Sequence, residues 1–430
     1  MIYLLSLICA LLPTYLIRFS IFGIPTTVLE TIIYFAFLIQ IINFKSQISK
    51  CKITIKSLKL FLISIVLLFI SLIISVYISP DKRAALGIAK AWFFDPILLG
   101  ALVAFNVKSE KDFGKIVYGL ATGAAFISLW GILQWFGFDY LLSHQKTDTF
   151  NSFASYLGSG RAFGPFESPN YLGMYLAPIS SLTLAYWLNS KFKSQNAKSQ
   201  LKMQNSYLIF HNSYFLSFCL VAMLLALLFT KSLGAWLGFG VAAIFLLWYF
   251  VCQFKPIIRN SYFIIPATLF VVAVIFLINK LGIGRITDSF AARKEVWQVS
   301  WHLIKQHPVF GIGLGTFRSL YEQIIPTIHF PPINWLQMHP HNIFLAFWLN
   351  LGILGLISFI WILVLFFRNS FKLLNAKRYT LIPALVAAML AIIAHGLIDT
   401  TYWKNDLAAL FWLIVGLSFA LNKFNKNEKS

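Results

Sequence analysis

Residues 337–348 read QMHPHNIFLAFW, so two histidines and an asparagine directly precede an apolar run. The run continues to about residue 366, which is long enough for a helix that crosses a bilayer. The predicted loop 280–341, the longest of the chain, comes directly before it. Titratable side chains at the entrance of a membrane helix, beside the longest loop, are where a reactive site is expected first.

The composition is typical of a polytopic α-helical membrane protein. Of the 430 residues, 59% are apolar, 17% are aromatic and only 11% are charged. The apolar runs are continuous and do not alternate with polar residues, which excludes a β-barrel. The formal charge is +21. We predict no soluble domain that could mass this charge on one face, so the excess indicates the positive-inside rule and no nucleic-acid partner.

We predict an all-α fold with about twelve transmembrane helices in a single membrane domain, residues 1–430. The predicted spans lie near 2–17, 25–44, 59–78, 86–105, 116–136, 169–189, 214–230, 234–253, 261–279, 342–366, 379–398 and 405–422. The spans predict an inner (cytoplasmic) membrane protein that crosses the bilayer many times. The first span has no basic segment before it and no small-residue cleavage site, so we expect it to be retained.

The Lys and Arg residues predict which loops face the cytoplasm. Alternate loops and the tail from residue 423 hold 21 of the 35, and the positive-inside rule places them in the cytoplasm with both termini. One of them, the linker 190–213, is low in complexity. The external segments are then the loop 137–168, the turn near 231–233 and the large loop 280–341, in which amphipathic helices are expected.

Two of the external segments carry a cation next to glycine. Arg161 lies in a Gly/Pro-punctuated turn before Ser168 and Pro169, which read as the N-cap and first residue of the next helix. It is predicted to bind an anion or to reach the lipid headgroups. Lys231 lies on the tight turn 230–236 and is predicted either to hold phosphate or to anchor the topology.

The sequence of the large loop predicts an amphipathic helix over residues 288–306, which ends before Pro308. Its polar arc holds Lys294, Glu295, Gln298, His302 and Lys305, and its apolar arc holds Phe290, Val296, Trp297, Val299, Trp301, Leu303 and Ile304. Arg293 falls on the apolar arc, one turn before Trp297. We therefore expect Arg293 to enter a protein-lined cavity or the membrane interface and to meet an anion there; the alternative is an arginine that reaches to headgroups.

His341 is the candidate proton acceptor. It lies two residues after His339 at a predicted helix start, where the positive end of the helix dipole disfavours the imidazolium form. A His-X-His pair is also a possible metal site, but no nearby carboxylate or thiol completes it. The four cysteines lie outside the predicted external loops, so neither a disulfide framework nor a zinc site is indicated.

Besides His339 and His341, another pair of polar residues lies near the end of the eleventh predicted span. His395 and Asp399 are four residues apart, which predicts that they share one side of a helix, and Asp406 follows. This pair is either structural or orients a reactive residue from behind.

These residues resemble the O-antigen ligase and polymerase family of bacterial membrane glycosyltransferases. The resemblance is densest over 288–355 and covers about half the chain. The matching motifs are Arg161-x2-Gly164, Pro169-Asn170, Ser232-x-Gly234-Ala235-Trp236, Arg293-x3-Trp297, His307-Pro308-x2-Gly311-x-Gly313 and His341-Asn342-x9-Gly352-x2-Gly355. One position departs from the family: Leu233 stands where an arginine is frequent, and Lys231 is the residue that could supply the charge.

The resemblance implies a metal-independent enzyme without a cofactor. Such enzymes move a glycan from a polyprenyl (undecaprenyl) diphosphate donor to a hydroxyl acceptor, such as a glycan or lipid-linked glycan, at the outer face of the cytoplasmic membrane. By this resemblance, Arg161, Arg293 and Lys231 would bind the diphosphate and His341 would be the general base. His339, Asn342, Trp297, Asn170 and Asp399 would support them.

The resemblance leaves open whether the chain is a ligase or a polymerase, because no residue identifies the acceptor. A solute or bicarbonate transporter and a lipid-glycan scaffold without chemistry remain alternatives. A transporter would require broken helices and charges at mid-bilayer, for which Lys90 and Asp95 are the candidates.

Overall fold

The structure, a computed structural model of the chain, describes residues 1–21, 23–44, 55–138, 160–197, 206–253, 283–375 and 381–427. Helices account for most of these residues. They are α1 (Ile2–Ala10), α2 (Val28–Phe44), α3 (Ile55–Ile78), α4 (Lys82–Ala89), α5 (Asp95–Asn106), α6 (Glu110–Trp135), α7 (Pro169–Ala197), α8 (Ser206–Phe229), α9 (Leu233–Gln253), α10 (Ile283–Gln306), α11 (Phe317–Ile328), α12 (Ile343–Asn375), α13 (Ile382–Gly396) and α14 (Asn405–Asn427). A π-helical turn, Lys90–Phe94, joins α4 to α5.

The predicted class, an all-α polytopic membrane protein, is confirmed. Within the described residues, six helices are long and apolar enough to cross a membrane. They cover Lys59–Ile78, Lys82–Asn106, Glu110–Trp135, Leu233–Phe250, Ile343–Leu374 and Asn405–Asn422. Three shorter apolar helices cover Val28–Ile42, Ser213–Phe229 and Ile382–Gly396. The predicted number of about twelve is not confirmed, and the predicted span 261–279 lies outside the described residues.

The first predicted span ends earlier than expected. Helix α1 stops at Ala10, and a short 3-10 helix, Leu12–Leu16, contains Pro13, which has no N–H to continue an α-helix. An antiparallel ribbon follows, β1 (Arg18–Ile21) with β2 (Ile24–Thr27), in which Arg18 lies opposite Thr27. The apolar pattern of residues 2–44 does not predict this ribbon.

The predicted linker 190–213 is largely helical in the described residues. Helix α7 continues to Ala197 and α8 begins at Ser206, while residues 198–205 lie outside the described part of the chain. Low sequence complexity therefore does not mark an irregular linker on either side of that gap. The predicted external loop 137–168 is described at its two ends only, since residues 139–159 lie outside.

The chain divides into two compact units, and the first comprises Met1–Pro13, Asn106–Ile278 and Ala376–His395. In it α6 packs against α1, α7 and α8, and α9 packs against α7. Small residues bring these helices close together: a Cβ atom added to Gly119 would lie 2.1 Å from the carbonyl oxygen of Ser6. Helices without a large apolar gain on association commonly pack through such small residues in membranes.

The second unit comprises Thr14–Phe105, Asn279–Asn375 and Gly396–Ser430. Helix α12 packs against α3, α10 and α14, and α11 packs on α10. Its aromatic core is fully buried and includes Phe93, Phe347, Phe359, Tyr402 and Trp403. The rings of Phe347 and Phe359 are stacked with centroids 4.0 Å apart. This core fixes the start of α12 and the segment that follows α13.

Helix α12 is broken at Gly352, which has φ 69° and ψ −174°. The break is closed by a neighbouring loop: the N–H of Ile312 donates to the Leu349 carbonyl at 2.7 Å, and the N–H of Ile353 donates to the Val309 carbonyl at 3.0 Å. A Cβ atom on Gly311 would lie 2.3 Å from the Leu349 oxygen. These glycines therefore allow the large loop and the break in α12 to interlock through backbone hydrogen bonds.

Candidate functional site

His341 is held between two side chains just before α12. Its Nδ1 atom lies 2.9 Å from Oδ1 of Asp399, and its Nε2 atom lies 3.0 Å from Oε1 of Gln337. The imidazole is part-exposed, whereas Asp399 is only 2% exposed and also accepts a hydrogen bond from the Thr400 N–H. The buried carboxylate is thus fixed, and the imidazole that it orients is within reach of solvent.

The backbone of His341 adopts the left-handed conformation, with φ 46°. Non-glycine residues rarely adopt it because it crowds the Cβ atom, and such strain is concentrated at functional sites. The indole N–H of Trp297 donates to the His341 carbonyl at 3.2 Å, which ties the strained residue to α10. Trp297, a supporting residue in the sequence prediction, therefore contacts the histidine backbone.

Asn342 is the N-cap of α12. Its Oδ1 atom accepts hydrogen bonds from the N–H groups of Phe344 and Leu345 at 2.9 and 3.0 Å, and its amide donates to the Leu397 carbonyl at 2.9 Å. These bonds satisfy N–H groups that a helix start leaves unpaired. Asn342 therefore supports the site by starting the helix directly after His341.

Arg293 is half-buried on α10, and its partners are neutral oxygens. Its Nε donates to the Ile398 carbonyl at 2.8 Å, and one terminal nitrogen donates to the Ser289 carbonyl at 3.1 Å and to the Ser289 hydroxyl. None of the described residues forms an ion pair with it, so the expected anion partner is not a carboxylate of the described chain. The guanidinium is positioned by carbonyls and keeps its positive charge available.

Three successive residues after α13 contact the site. The Leu397 carbonyl accepts from Asn342, the Ile398 carbonyl accepts from Arg293, and the Asp399 carboxylate contacts the His341 ring. The predicted helical pairing of His395 with Asp399 is wrong, because α13 ends at Gly396. The turn that follows redirects Asp399 toward His341. Sequence spacing alone could not show this change, since the apolar pattern continues to Ile398.

His339 lies beside His341 in sequence but has a different environment. Its ring packs edge-on against Trp92, with centroids 6.1 Å apart. Burial lowers the pKa of His339, and the neighbouring His341 and Lys404 lower it further because they disfavour a second positive charge, so that it falls to about 4. His339 is therefore neutral near pH 7. Trp92 also donates to Oδ1 of Asn405 at 3.1 Å and accepts the Tyr402 hydroxyl at 2.8 Å, so it links His339 to the segment after Asp399.

The first unit holds a separate cluster of Arg161, Asn170 and Lys231. Arg161 donates through Nε to the Thr230 carbonyl at 2.8 Å and through a terminal nitrogen to Oδ1 of Asn170 at 3.1 Å. The Lys231 ammonium lies 4.6 Å from the centre of the Trp135 ring. The N-cap predicted at Ser168 is confirmed, because its hydroxyl accepts the Tyr171 N–H at 3.3 Å.

Lys231 shares an unusual feature with His341. Among the described residues, these two are the non-glycine residues with positive φ, and the φ of Lys231 is 48°. Its side chain lies beside Gly160: a Cβ atom there would be 3.5 Å from the Lys231 ammonium nitrogen, an ordinary van der Waals distance. The turn thus brings Arg161, Asn170 and Lys231 together.

The structure adds two residues that sequence reasoning did not assign, Gln337 and Trp92. Gln337 has the i, i+4 spacing to His341 that could have signalled a contact, although no helix joins them. Trp92 could not have been found from the sequence, because the π-helical turn Lys90–Phe94 sets its direction.

Comparison with known proteins gives two findings. Residues 218–360, about a third of the chain, match the family model described as O-Antigen ligase. A protein of Rickettsia conorii, provisionally named a polysaccharide ligase, is 25% identical over 209 residues. That match covers 46% of this chain and 47% of the relative, so the chain spans about half the length of the relative. Over residues 218–360 the chain is therefore similar to the O-antigen ligase family that its motifs resemble.

Proposed function

We propose that this protein is a membrane glycosyltransferase of the O-antigen ligase or polymerase type. It would move a glycan from a polyprenyl diphosphate donor, undecaprenyl diphosphate in the form the resemblance implies, to a hydroxyl acceptor during surface polysaccharide synthesis. The observation that carries the proposal is the oriented imidazole: His341 lies between buried Asp399 and part-exposed Gln337 at the start of α12. Family membership supports a polysaccharide ligation role.

The first chemical element of the proposal is proton removal by Nε2 of His341. When Nδ1–H donates to Asp399, a neutral imidazole has its lone pair on Nε2. Gln337 faces that atom, and its amide can rotate to donate an N–H in place of the oxygen. An acceptor hydroxyl that displaced this amide would be placed to donate its proton to Nε2. General-base catalysis of this kind contributes about two to four decades of rate.

The second element is stabilisation of the leaving group. As the acceptor oxygen bonds to the anomeric carbon, the bond from that carbon to the diphosphate oxygen breaks, and polyprenyl diphosphate leaves with the electron pair. We propose that Arg293 in the second unit binds this anion, and that Arg161 and Lys231 in the first unit are a further candidate cluster for binding phosphate. Arg161 donates through Nε to the Thr230 carbonyl, and Arg293 donates through Nε to the Ile398 carbonyl, so a carbonyl oxygen orients each guanidinium.

The proposal places the chemistry at the outer face of the cytoplasmic membrane, with both termini in the cytoplasm and without a metal. His339, Asn342, Trp297 and Asn170 would act as positioning residues. The acceptor would be a glycan or a lipid-linked glycan.

The transporter alternative has two observations in its favour, the broken helix α12 and the buried carboxyl of Asp95. However, the backbone groups at the break bond to Val309 and Ile312 and are not left to coordinate a solute. We therefore favour the enzyme. The scaffold alternative predicts that His341→Ala keeps its function.

The test is an assay of purified protein in liposomes with a defined polyprenyl diphosphate oligosaccharide and a candidate acceptor. The proposal predicts that polyprenyl diphosphate is released and that the glycan is joined to the acceptor. Analysis of the acceptor end separates ligase from polymerase. Solute flux without diphosphate release would favour the transporter.

A further inference from the structure

A short apolar strap, residues 330–338, stands out from the second unit directly before the His339–His341 segment. Five of its side chains are between 48% and 79% exposed: Phe330, Ile333, Trp335, Leu336 and Met338. The rings of Phe330 and Trp335 contact each other edge-on, with centroids 6.4 Å apart. Exposed apolar patches of this kind mark a surface that something covers.

The exposure is imposed by a fixed backbone. The N–H of Ile333 donates to both carboxylate oxygens of Glu295, at 3.0 and 3.3 Å, and the Tyr321 hydroxyl donates to the Asn334 carbonyl at 3.0 Å. Glu295 and Tyr321 are themselves buried, which corrects the prediction that Glu295 lies on an exposed polar arc. Burial raises the pKa of Tyr321 to about 12, so its hydroxyl remains a donor. The structure therefore holds the strap outward.

The composition of the strap identifies what covers it. Residues 330–338 read FPPINWLQM and contain no charged residue. A protein interface would be expected to carry a polar rim with hydrogen bonds around its apolar centre. Hydrocarbon needs no such partners, and aromatic residues are enriched where a membrane meets water. Only five positions separate Met338 from Ile343, the start of the candidate span Ile343–Leu374.

We propose that the strap inserts into the interfacial layer of the lipid bilayer, in the leaflet on the side of His341. Phe330, Trp335 and Leu336 would contact lipid acyl chains while Glu295 and Tyr321 hold the strap from behind. Val309 and Phe310, also exposed and joined by backbone bonds to the break in α12, would extend the same surface.

The strap has a consequence for the acceptor, which rests on the proposed function. Gln337 belongs to the strap and lies 3.0 Å from His341. A strap immersed in lipid would hold Nε2 of His341 at the height of the headgroups. The reactive hydroxyl must then lie close to the membrane, so the strap favours an acceptor that is itself lipid-linked over one free in water.

Insertion can be tested without any activity. A fluorescent probe is attached at Leu336→Cys in a background whose native cysteines are replaced and whose thermal unfolding matches the parent protein. In liposomes, the proposal predicts quenching by nitroxide-labelled lipids and protection from iodide. Glu322→Cys, exposed on α11, is the matched control and should be quenched by iodide. Iodide quenching at Leu336, or quenching by neither agent, would overturn the proposal.

A second measurement tests the consequence. The triple variant Phe330→Ser, Trp335→Ser, Leu336→Ser should raise the KM for a lipid-linked acceptor at least tenfold and leave the rate with a short water-soluble acceptor unchanged. Equal loss with both acceptors would contradict the role in acceptor choice. If neither acceptor reacts with the parent protein, the proposed function fails while the insertion result still stands.

Discussion

Nδ1 of His341 lies 2.9 Å from Oδ1 of Asp399, although 58 positions separate the two residues in sequence. The contact exists because α13 ends at Gly396 and the turn that follows carries Asp399 toward α12. The same turn presents the carbonyls of Leu397 and Ile398 to Asn342 and Arg293. One short segment thus contacts the candidate base His341, the guanidinium of Arg293 and the helix cap Asn342.

Replacing Asp399 by Asn should remove the acceptor that fixes the imidazole tautomer. An amide can donate to Nδ1 and leave the proton on Nε2, which would block proton removal. We expect kcat to fall by about two decades or more, with little change in donor KM. Steady-state kinetics on Asp399→Asn and on the exposed control Asp288→Asn measure this. A fall confined to KM would contradict the orienting role.

His339→Gln should change how stability depends on pH. The folded protein lowers the pKa of His339 from 6.5 to about 4, so between these values the unfolded chain binds more protons than the folded chain. The contribution of His339 to the free energy of unfolding is therefore fully present above pH 6.5 and is lost as pH falls toward 4. The variant should lose less thermal stability than the parent between about pH 7 and 4.5. The control is His302→Gln, an exposed residue on α10; an equal loss in parent and His339→Gln would count against this assignment.

Gly352→Ala should destabilise the protein strongly. The backbone there has φ 69°, and the new Cβ would lie 2.2 Å from the Val309 carbonyl oxygen. The conformational strain alone costs about 1–3 kcal/mol. Gly87→Ala is the matched control, because Gly87 lies in helix α4 with nothing within 4 Å of an added Cβ. Thermal unfolding in detergent compares them; if both variants melt alike, the interlock at α12 contributes little.

Lys231→Gly should separate stability from function. Glycine adopts φ 48° without strain, so the melting temperature should stay constant or rise. The loss of the ammonium should raise the donor KM about tenfold or more if Lys231 binds diphosphate. Lys231→Asn, which tolerates the left-handed backbone but has no charge, should raise the KM similarly. Normal donor KM in both variants would leave Lys231 a purely structural role.

The sequence was sufficient for the membrane-protein class, the helix over 288–306 and the N-cap at Ser168. Continuous apolar runs predict helices, and a guanidinium on an apolar arc indicates a buried role, which Arg293 has. The Ser168 cap was readable because capping depends on residues that are adjacent in the chain. Features that depend on neighbouring residues can therefore be predicted from the sequence.

The structural features that the sequence did not predict depend on contacts between segments that are distant in the chain. The burial of Glu295 follows from its bonds to Ile333, 38 residues away, and the direction of Asp399 follows from the end of α13. The direction of Trp92 follows from a π-helical turn, and the break in α12 from the close approach of Gly311. Hydrophobic periodicity cannot predict these features, because each depends on a tertiary contact or on a departure from regular α-helix.

The most direct test of the account is a single-turnover reaction with His341→Ala, in liposomes that contain a defined polyprenyl diphosphate oligosaccharide and a lipid-linked acceptor. The exposed His302→Ala is the matched control. The account predicts that parent and control proteins release polyprenyl diphosphate with joined product, and that His341→Ala binds the donor but reacts at least a hundredfold more slowly. If His341→Ala releases polyprenyl diphosphate and joins the glycan to the acceptor at the parental rate, His341 is not the general base.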